Sequence, residues 1–264
     1  VMRKLVFDIG GTNTRLALYN GQELELMEKH QTASPREFLR LAHSLCNNIV
    51  ITSIAGAVAG EVKNNKLLFA PNLDHTWQQF DFYTYLSDIS PKIYVLNDVE
   101  AGAIAEATKG AGRKFDRFGY IAIGTGFGGA LFDRATQTGI ARNDFGFEPG
   151  HLLSIDHQMT NEQKYSGQAW ENFFGKAPFH ITDATVWQKA SFDLAQDLRQ
   201  IAIAWSVKNV IIGGSMVLGK PAYDLDVINE VLLKSMQGYD FKPAIQVAKA
   251  SIGDSVNLWG AALL

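Results

Sequence analysis

Two stretches of the chain share one pattern of apolar and polar positions. In the first, residues 5–9 are apolar except for Asp8 and include β-branched and aromatic side chains, and in the return run Leu16 and Leu18 alternate with Arg15 and Ala17. Gly10 and Gly11 stand between the two runs, where glycine permits a sharp backbone turn. The pattern predicts a strand, a tight turn and a second strand that runs back beside the first.

The second stretch, residues 120–133, repeats this order of strand, glycine-rich turn and strand. Aligning the two copies without a gap places Leu18 opposite Phe132. Asp8, at the end of the first strand, then has only Ala122 as its counterpart. We therefore interpret the chain as a duplicated unit in which one copy carries an acid and the other does not.

The glycine turns suggest phosphate binding. A turn without Cβ atoms exposes backbone N–H groups to an anion, and the hydroxyl of Thr125 adds a donor to the second turn. Asp8 would repel a phosphate unless Mg²⁺ lay between the two groups. Neither turn has the P-loop spacing with its lysine, and neither opens directly into a helix as a dinucleotide fingerprint requires. Taken alone, the first stretch is equally consistent with an ordinary hairpin.

Helical and strand patterns alternate after the first hairpin, as in βαβ units. Ser34 and Pro35 are typical of a helix start, and residues 48–56 form a second apolar strand. The next strand along the chain, residues 92–98, ends in Asn97 and Asp98. Ligands of open α/β sheets bind at the carboxyl ends of strands, which makes this pair a candidate site.

Asp98 also stands where the helix over residues 99–108 should begin. Aspartate is a common N-cap, so the residue has a structural interpretation beside the functional one. A helix N-terminus favours the ionised carboxylate, from which we expect a modest but well-oriented base.

Later in the chain, residues 182–206 have the spacing of a long helix whose aromatic side chains we expect in a core. Residues 209–212 form a strand followed by Gly213 and Gly214. The segment 254–264 predicts a final helix rich in small residues that allow close helix packing.

Composition narrows the class of protein. A chain of 264 residues is expected to form about two domains, and its net charge of −3 argues against a nucleic-acid partner. The single cysteine, Cys46, permits neither an internal disulfide nor a thiolate zinc site. No apolar run approaches the roughly 18 residues of a membrane span, and no secretory signal is recognised. We expect a cytoplasmic protein without a membrane partner.

The motifs, taken in order, resemble those of the actin-like ATPase superfamily, and within it those of the ROK family and the related bacterial glucokinases. The motifs that carry the resemblance are Asp8-Ile9-Gly10-Gly11-Thr12-Asn13, Leu96-Asn97-Asp98, Gly124-Thr125-Gly126-Phe127-Gly128-Gly129 and Glu148-Pro149-Gly150-His151. The resemblance implies an α/β, two-lobed actin-like (ribonuclease H-like) ATPase fold with a duplicated βββαβα core and a central cleft. The expected lobes are residues 1–109, joined by the helix 254–264, and residues 110–253.

The resemblance also implies a function, the ATP-dependent phosphorylation of a hexose at its 6-hydroxyl, with glucose as the first expected substrate. Asp98 would be the catalytic base, and Asp8 would hold Mg²⁺ through a water molecule. The residues implied to contact the sugar are Asn72, Asn97, Asp98, Glu148, His151 and Glu162. Those implied to bind ATP are Asp8, Gly10, Gly11, Thr12, Asn13, Gly124, Thr125, Gly126, Gly213 and Gly214.

The chain departs from the zinc-bearing branch of the family, because the expected cysteine cluster is missing. His151, Asp156 and His157 are weak evidence for a metal site at their spacing. Glu162 is assigned from the Ser-Gly pair four and five residues later, and an exposed loop acid is its structural alternative.

Three functional alternatives remain open at this stage. The first is a kinase for N-acetylmannosamine, N-acetylglucosamine, mannose or fructose. The second is a sugar-responsive repressor, although Asp8 lies close to the start of the sequence for a preceding DNA-binding segment. The third is a non-catalytic ATP-binding module. A homodimer is left open as the assembly.

Overall fold

The computed structural model describes residues 3–141, 146–156, 158–235 and 244–264. The strands in this part of the chain are β1 (Arg3–Ile9), β2 (Asn13–Tyr19), β3 (Leu24–Gln31), β4 (Ile51–Val58), β5 (Glu61–Lys63), β6 (Lys66–Phe69), β7 (Phe80–Asp81), β8 (Ile93–Asn97), β9 (Arg117–Ile123), β10 (Phe127–Asp133), β11 (Ile140–Ala141), β12 (Asn209–Gly213) and β13 (Gln246–Lys249). The α-helices are α1 (Pro35–Cys46), α2 (Phe82–Leu86), α3 (Asp98–Thr108), α4 (Asn161–Tyr165), α5 (Gly167–Phe174), α6 (Ala184–Ala204), α7 (Ser215–Leu218), α8 (Leu225–Ser235) and α9 (Val256–Ala262).

The chain divides into two compact units. The first unit comprises Val1–Ala105 and Asp254–Leu264, and the second is Glu106–Gly253. The sequence placed the first boundary after residue 109, whereas the first unit ends at Ala105. Both ends of the described chain therefore contribute to the first unit, and the second unit is one continuous segment.

Each unit is built on a five-stranded mixed sheet with the same strand order. In the first unit the order is β3-β2-β1-β4-β8, and in the second it is β11-β10-β9-β12-β13. The first three strands of each unit pair antiparallel, and the remaining pairings are parallel. This repeated order confirms the duplicated α/β core that the two hairpins predicted.

The ungapped alignment of the two hairpins is wrong by one residue in the returning strand. Ile9 pairs with Thr14, whereas Ile123 pairs with Phe127, so the second turn is one residue shorter. Leu18 consequently corresponds to Leu131 and not to Phe132. Loop length is set by turn geometry, which glycine-rich sequences specify weakly.

The core of the first unit has one layer on each face of its sheet. One layer surrounds Phe7, Phe38 and Trp77 and includes the buried side of α1. On the other face Val6, Ala17 and Ala55 pack against Leu258, Ala261 and Ala262 of α9. The small side chains on both surfaces allow this helix to lie close to the sheet.

α9 also lies against α3. A Cβ atom built on Gly260 would come within 1.9 Å of the Ala101 backbone oxygen. This close approach confirms the prediction that the small residues of the last helix serve helix packing.

The core of the second unit contains the aromatic face of α6. Trp187, Leu194 and Leu198 are buried there, and Trp205, directly after the helix, is buried as well. Asp183 caps the helix through a hydrogen bond from the Thr185 N–H. The predicted helix and its core face are therefore confirmed. No helix in the described residues has both the length and the apolarity required to cross a membrane.

Candidate functional site

The first glycine turn leaves two backbone donors exposed. The Gly10 N–H donates to the Asn13 oxygen at 3.0 Å, and the Thr32 hydroxyl donates to the Gly10 oxygen at 2.6 Å. Gly11 and Thr12 are exposed, and their N–H groups donate no hydrogen bond to any described residue. Such a pair of free donors in a turn is suited to an anion.

Asp8 is buried behind this turn, with 3% of its surface exposed. Arg15 Nη1 donates to its Oδ2 at 3.0 Å, and Asn257 Nδ2 donates to its Oδ1 at 3.2 Å. Arg15 Nη2 also pairs with Asp254 at 2.6 Å. Burial raises the pKa of Asp8, and the Arg15 charge and the two hydrogen bonds oppose that rise. The carboxylate is therefore held in a fixed orientation by a cation and an amide.

The donor set of Asp8 is compatible with a hydrated Mg²⁺. Each of its oxygens accepts one hydrogen bond, whereas a carboxylate can accept about four in total. The remaining acceptor positions suit water molecules of a hydrated ion, and Mg²⁺ usually keeps several of its waters. Because Arg15 already balances the charge, a contact through water suits this residue better than a direct bond.

Asn97 and Asp98 lie at the same edge of the sheet as Asp8. Asp8 is in register with Ala57 of β4, and Val58, the next residue of that strand, is in register with Asn97 of β8. With one strand between them, β1 and β8 are about 10 Å apart. The three polar residues therefore share the carboxyl edge of the parallel strands, as the sequence predicts.

The start of α3 differs from the expected cap. Asn97 Oδ1 accepts from the Val99 N–H at 2.9 Å, and Asn97 Nδ2 donates to the Gly60 oxygen at 2.9 Å. Asp98 is the first residue of the helix, and its Oδ1 accepts from the adjacent Val99 N–H at 2.9 Å. Asn97 thus caps the helix, because its amide carries both the acceptor for the helix and a donor for the neighbouring loop. This arrangement leaves Asp98 Oδ2 available.

The expectation that the helix start keeps Asp98 readily ionised is wrong. Burial, and after it the negative charge of Asp8, raises the pKa of Asp98 to about 7. The hydrogen bond from Val99 lowers the pKa but does not outweigh these two effects. A carboxyl with a pKa near neutrality is matched to general-base catalysis at physiological pH.

Asn72 lies directly beside the first glycine turn. A Cβ atom on Gly11 would stand 3.0 Å from the Asn72 backbone oxygen and 3.2 Å from its Cβ. Asn72 is exposed, and it lies in the loop between β6 and β7 of the three-stranded sheet β5-β6-β7. The turn implied to hold phosphate and the loop implied to hold sugar are therefore neighbours in the first unit.

The second glycine turn has the same character as the first. The Gly124 N–H donates to the Gly126 oxygen at 2.9 Å, and Thr125 is exposed. Within the described ranges, the N–H groups of Thr125 and Gly126 donate no hydrogen bond. In the described residues, both units consequently present two N–H groups without a hydrogen-bond acceptor at the equivalent turn.

The corner between α4 and α5 holds the second turn. Glu162 Oε2 accepts from the Phe127 N–H at 2.8 Å. The Gly167 N–H donates to the Gly124 oxygen at 2.7 Å, and the Gln168 N–H donates to the Thr125 oxygen at 3.2 Å. Glu162 is half-buried and is not the free loop acid that the structural alternative describes.

The Glu-Pro-Gly-His loop packs on the same strand. A Cβ atom on Gly150 would lie 2.1 Å from the Phe127 oxygen, so only glycine fits at this position. Asn161, at the start of α4, donates to the Pro149 oxygen at 2.9 Å. Glu148 and His151 are both exposed on either side of this anchored centre. The loop is therefore fixed to the second hairpin while its two functional candidates remain accessible.

Gly213 and Gly214 follow β12, and contacts within the protein account for their lack of side chains. A Cβ on Gly214, where φ is +87°, would come within 2.3 Å of the Ile123 oxygen. A Cβ on Gly213 would lie 3.1 Å from the Tyr120 hydroxyl. The glycines let the chain pass over β9, and their adenosine role stays a prediction.

The segment after His151 is held by a buried acid. Asp197 of α6 accepts from the Tyr165 hydroxyl at 2.5 Å and from the Ile155 N–H at 2.7 Å. Asp156 pairs with Lys164 at 2.7 Å. Among the described residues no group of three or more histidine, cysteine, aspartate or glutamate side chains could hold a metal ion. His157, the remaining member of the weak metal candidate, lies outside the described residues.

The comparison with known families decides the classification. The model of the ROK family matches residues 5–264, which is nearly the entire chain. The chain belongs to the ROK family.

Two relatives are similar to the chain over different extents. A protein named putative fructokinase from Bacillus subtilis is 27% identical over 174 residues, covering 62% of this chain and 58% of the relative. The xylose repressor of Bacillus spizizenii is 28% identical over 141 residues, covering 53% of this chain and 35% of the repressor. The chain thus matches less than two thirds of the length of either relative.

A solved ROK structure shares the fold over nearly the full length. The ROK family glucokinase from Streptomyces griseus, in complex with glucose and AMPPNP, superposes with a TM-score of 0.78 at 22% identity. The superposition covers 98% of both chains. At this identity the similarity establishes the actin-like ROK fold and leaves the substrate to be tested.

Several residues that shape the site were not recognised from the sequence. The sequence pattern assigns Arg15 only to a strand, and Asn257 lies 249 residues away from the carboxylate it contacts. The backbone of Phe127 was not recognised as a junction between two loops. The signal in the sequence that could identify Arg15 as a partner of Asp8 is the presence of an arginine within a strand beside a glycine turn.

Proposed function

We propose that the protein catalyses ATP-dependent phosphorylation of a hexose at its 6-hydroxyl. The observation that carries this proposal is the position and pKa of Asp98. It stands at the carboxyl edge of the same sheet as Asp8, and its pKa is raised to about 7. A half-buried carboxyl that can lose its proton near neutrality is what the acceptor hydroxyl requires.

In the proposed reaction, Asp98 Oδ2 accepts the proton of the 6-hydroxyl as that oxygen attacks the γ-phosphorus. The bond between the γ-phosphorus and the bridging oxygen breaks, and ADP leaves with the bond's electron pair. Phosphoryl transfer depends more on positioning than on a strong base, which suits a carboxylate of this pKa. The products are the sugar 6-phosphate, ADP and a protonated Asp98.

The binding roles follow the two units. In the first unit, the N–H groups of Gly11 and Thr12 would donate to phosphate, supported by Gly10 and Asn13, and Asn72 and Asn97 would orient the sugar. In the second, Gly124, Thr125 and Gly126 would bind phosphate, Gly213 and Gly214 would approach the adenosine, and Glu148, His151 and Glu162 would accept from sugar hydroxyls. A pocket for a neutral sugar requires such amide and carboxylate groups.

Asp8 would hold Mg²⁺ through water, with Arg15 and Asn257 fixing its orientation. When bound, the ion would neutralise charge that develops on the phosphate oxygens. The protein's own contribution is to keep the Asp8 carboxylate directed by two fixed donors.

Glucose is the first acceptor to test, and the alternatives are N-acetylmannosamine, N-acetylglucosamine, mannose and fructose. The glucokinase from Streptomyces griseus and the relative named putative fructokinase support a sugar of this class. The experiment is a panel of these sugars with purified protein, MgATP and coupled detection of ADP release. Sugar-dependent ADP release supports the proposal, and its absence with every sugar, at concentrations where ATP binds, contradicts it.

A sugar-responsive repressor function is the second candidate, and the similarity to the xylose repressor favours it. Such a protein would bind a sugar in calorimetry without releasing ADP. The same panel, measured once by binding and once by turnover, therefore separates the two functions.

A further inference from the structure

Glu162 makes a contact that sugar binding does not require. Its Oε2 accepts from the Phe127 N–H at 2.8 Å, and Phe127 directly follows the second glycine turn. Its Oε1 has no hydrogen-bond partner among the described residues. One oxygen of the carboxylate is thus committed to the turn, and the other remains available for a ligand.

The hydrogen bond between Glu162 and the Phe127 N–H lies beside a turn that other contacts of the second unit also hold in place. The Gly167 and Gln168 N–H groups fix the Gly124 and Thr125 oxygens, which orients the near side of the turn. On the far side, the Phe127 oxygen is packed against Gly150. The hydrogen bond from the Phe127 N–H to Glu162 adds a contact at this end of the turn.

We propose that Glu162 is a positioning residue for ATP as well as a sugar ligand, because its carboxylate fixes the turn whose N–H groups bind phosphate. This inference rests on the proposed function, since it assigns ATP to the turn at residues 124–126. Glu162 then links the two substrates, because one of its carboxylate oxygens binds sugar while the other accepts from the Phe127 N–H.

Simple electrostatics predicts the opposite sign. A carboxylate beside a phosphate-binding turn repels phosphate, so removing its charge should strengthen ATP binding. A positioning role requires instead that loss of the hydrogen bond weakens ATP binding. The effect of substitution on ATP affinity therefore distinguishes the two explanations.

The experiment is calorimetric titration of the full chain with AMPPNP and Mg²⁺ in the absence of sugar. We expect Glu162→Ala to bind AMPPNP about tenfold more weakly, the size of effect expected for one hydrogen bond to a charged group. Glu162→Asp keeps the charge but is shorter by one methylene, about 1.5 Å, and should lose affinity similarly. Glu162→Gln can still accept from the Phe127 N–H and should bind as tightly as the wild type.

Two further variants control for sugar binding and for loss of an acid. Glu148→Ala, an implied sugar ligand in the same unit, and Glu171→Ala, an exposed acid of α5, should both leave the AMPPNP affinity unchanged.

If Glu162→Ala does not fold, Glu162→Asp decides, because aspartate is well tolerated in the first turn of a helix. Affinity equal to or tighter than wild type in the Asp variant overturns the inference alone. Failure of the wild type to bind AMPPNP overturns the proposed function and this inference with it.

Discussion

Gly11 lies against Asn72, with only 3.0 Å between the place a Cβ would occupy and the Asn72 backbone oxygen. The glycine turn and the loop of Asn72 therefore cannot be altered independently. A methyl group at position 11 must displace the loop by a few tenths of an ångström, because a backbone oxygen has no rotamer through which to move away.

We expect Gly11→Ala to raise the KM for sugar several-fold, because the displaced loop carries an implied sugar ligand. Steady-state kinetics with saturating ATP measures this change. Gly124→Ala is the matched variant in the second turn, where the added methyl would stand 3.7 Å from the Ser215 hydroxyl and displace nothing. An unchanged sugar KM in Gly11→Ala would show that Asn72 does not contact the sugar.

Replacing Asp98 by asparagine should reduce kcat by about 100-fold or more, the usual contribution of a general base. Sugar binding should persist, because the amide keeps the size and one acceptor of the carboxyl. Turnover assays and calorimetric sugar titration measure the two quantities separately. Near-normal kcat in this variant would remove Asp98 from the role of base.

The raised pKa of Asp98 predicts how activity depends on pH. The base must be unprotonated, so kcat/KM should fall about tenfold per pH unit once the pH drops below 7. A profile of kcat/KM for sugar from pH 5 to pH 9, with ATP saturating, tests this. A profile that stays level down to pH 5 would contradict the assignment.

The same pKa predicts an effect on stability. Asp98 binds its proton more tightly when folded than when unfolded, so its contribution to stability is full below its unfolded pKa of 3.8 and is lost as the pH rises through about 7. Asp98→Asn should therefore raise the Tm at pH 8 by about 2–4 °C, corresponding to about 1 kcal/mol, since Asp98 is only half-buried. At pH 4 the Tm of the variant and of the wild type should agree, and an equal difference at both pH values would contradict the pKa shift.

Asp197 provides a test of how the segment after His151 is held. Asp197→Ala leaves the Tyr165 hydroxyl and the Ile155 N–H without their acceptor. The Tyr165 hydroxyl is buried, and a buried unpaired donor costs about 1–3 kcal/mol. We expect the Tm to fall by several degrees in calorimetry. The control is Asp193→Ala on the same helix, which removes only the exposed pair with Lys189 and should change stability by less than about 0.5 kcal/mol.

The sequence predicted the elements whose pattern is local. The two glycine hairpins, the start of α1 at Pro35 and the aromatic face of α6 are all fixed by residues close together in the chain. The shared sheet edge of Asp8 and Asn97 followed from the βαβ pattern, since parallel strands end on one side.

What the sequence did not predict depends on distances that a linear pattern does not contain. Asn97, and not Asp98, caps α3 because its amide also donates to the Gly60 oxygen, which lies 37 residues away in the chain. The pKa of Asp98 depends on burial and on the charge of Asp8, neither of which the local sequence around the helix start contains. The contacts of Phe127 use its backbone atoms, and such contacts have no signature in residue type.

The packing of α9 has a consequence for how the protein is made. The apolar face formed by Val6, Ala17 and Ala55 is covered by Leu258 and Ala261, which are translated more than 200 residues later. The nascent first unit must carry that face uncovered until α9 has been made, whereas all residues of the second unit are by then available to fold. A chain stopped at residue 253 would keep this surface exposed, and we expect it to aggregate or to remain bound to chaperones on the ribosome.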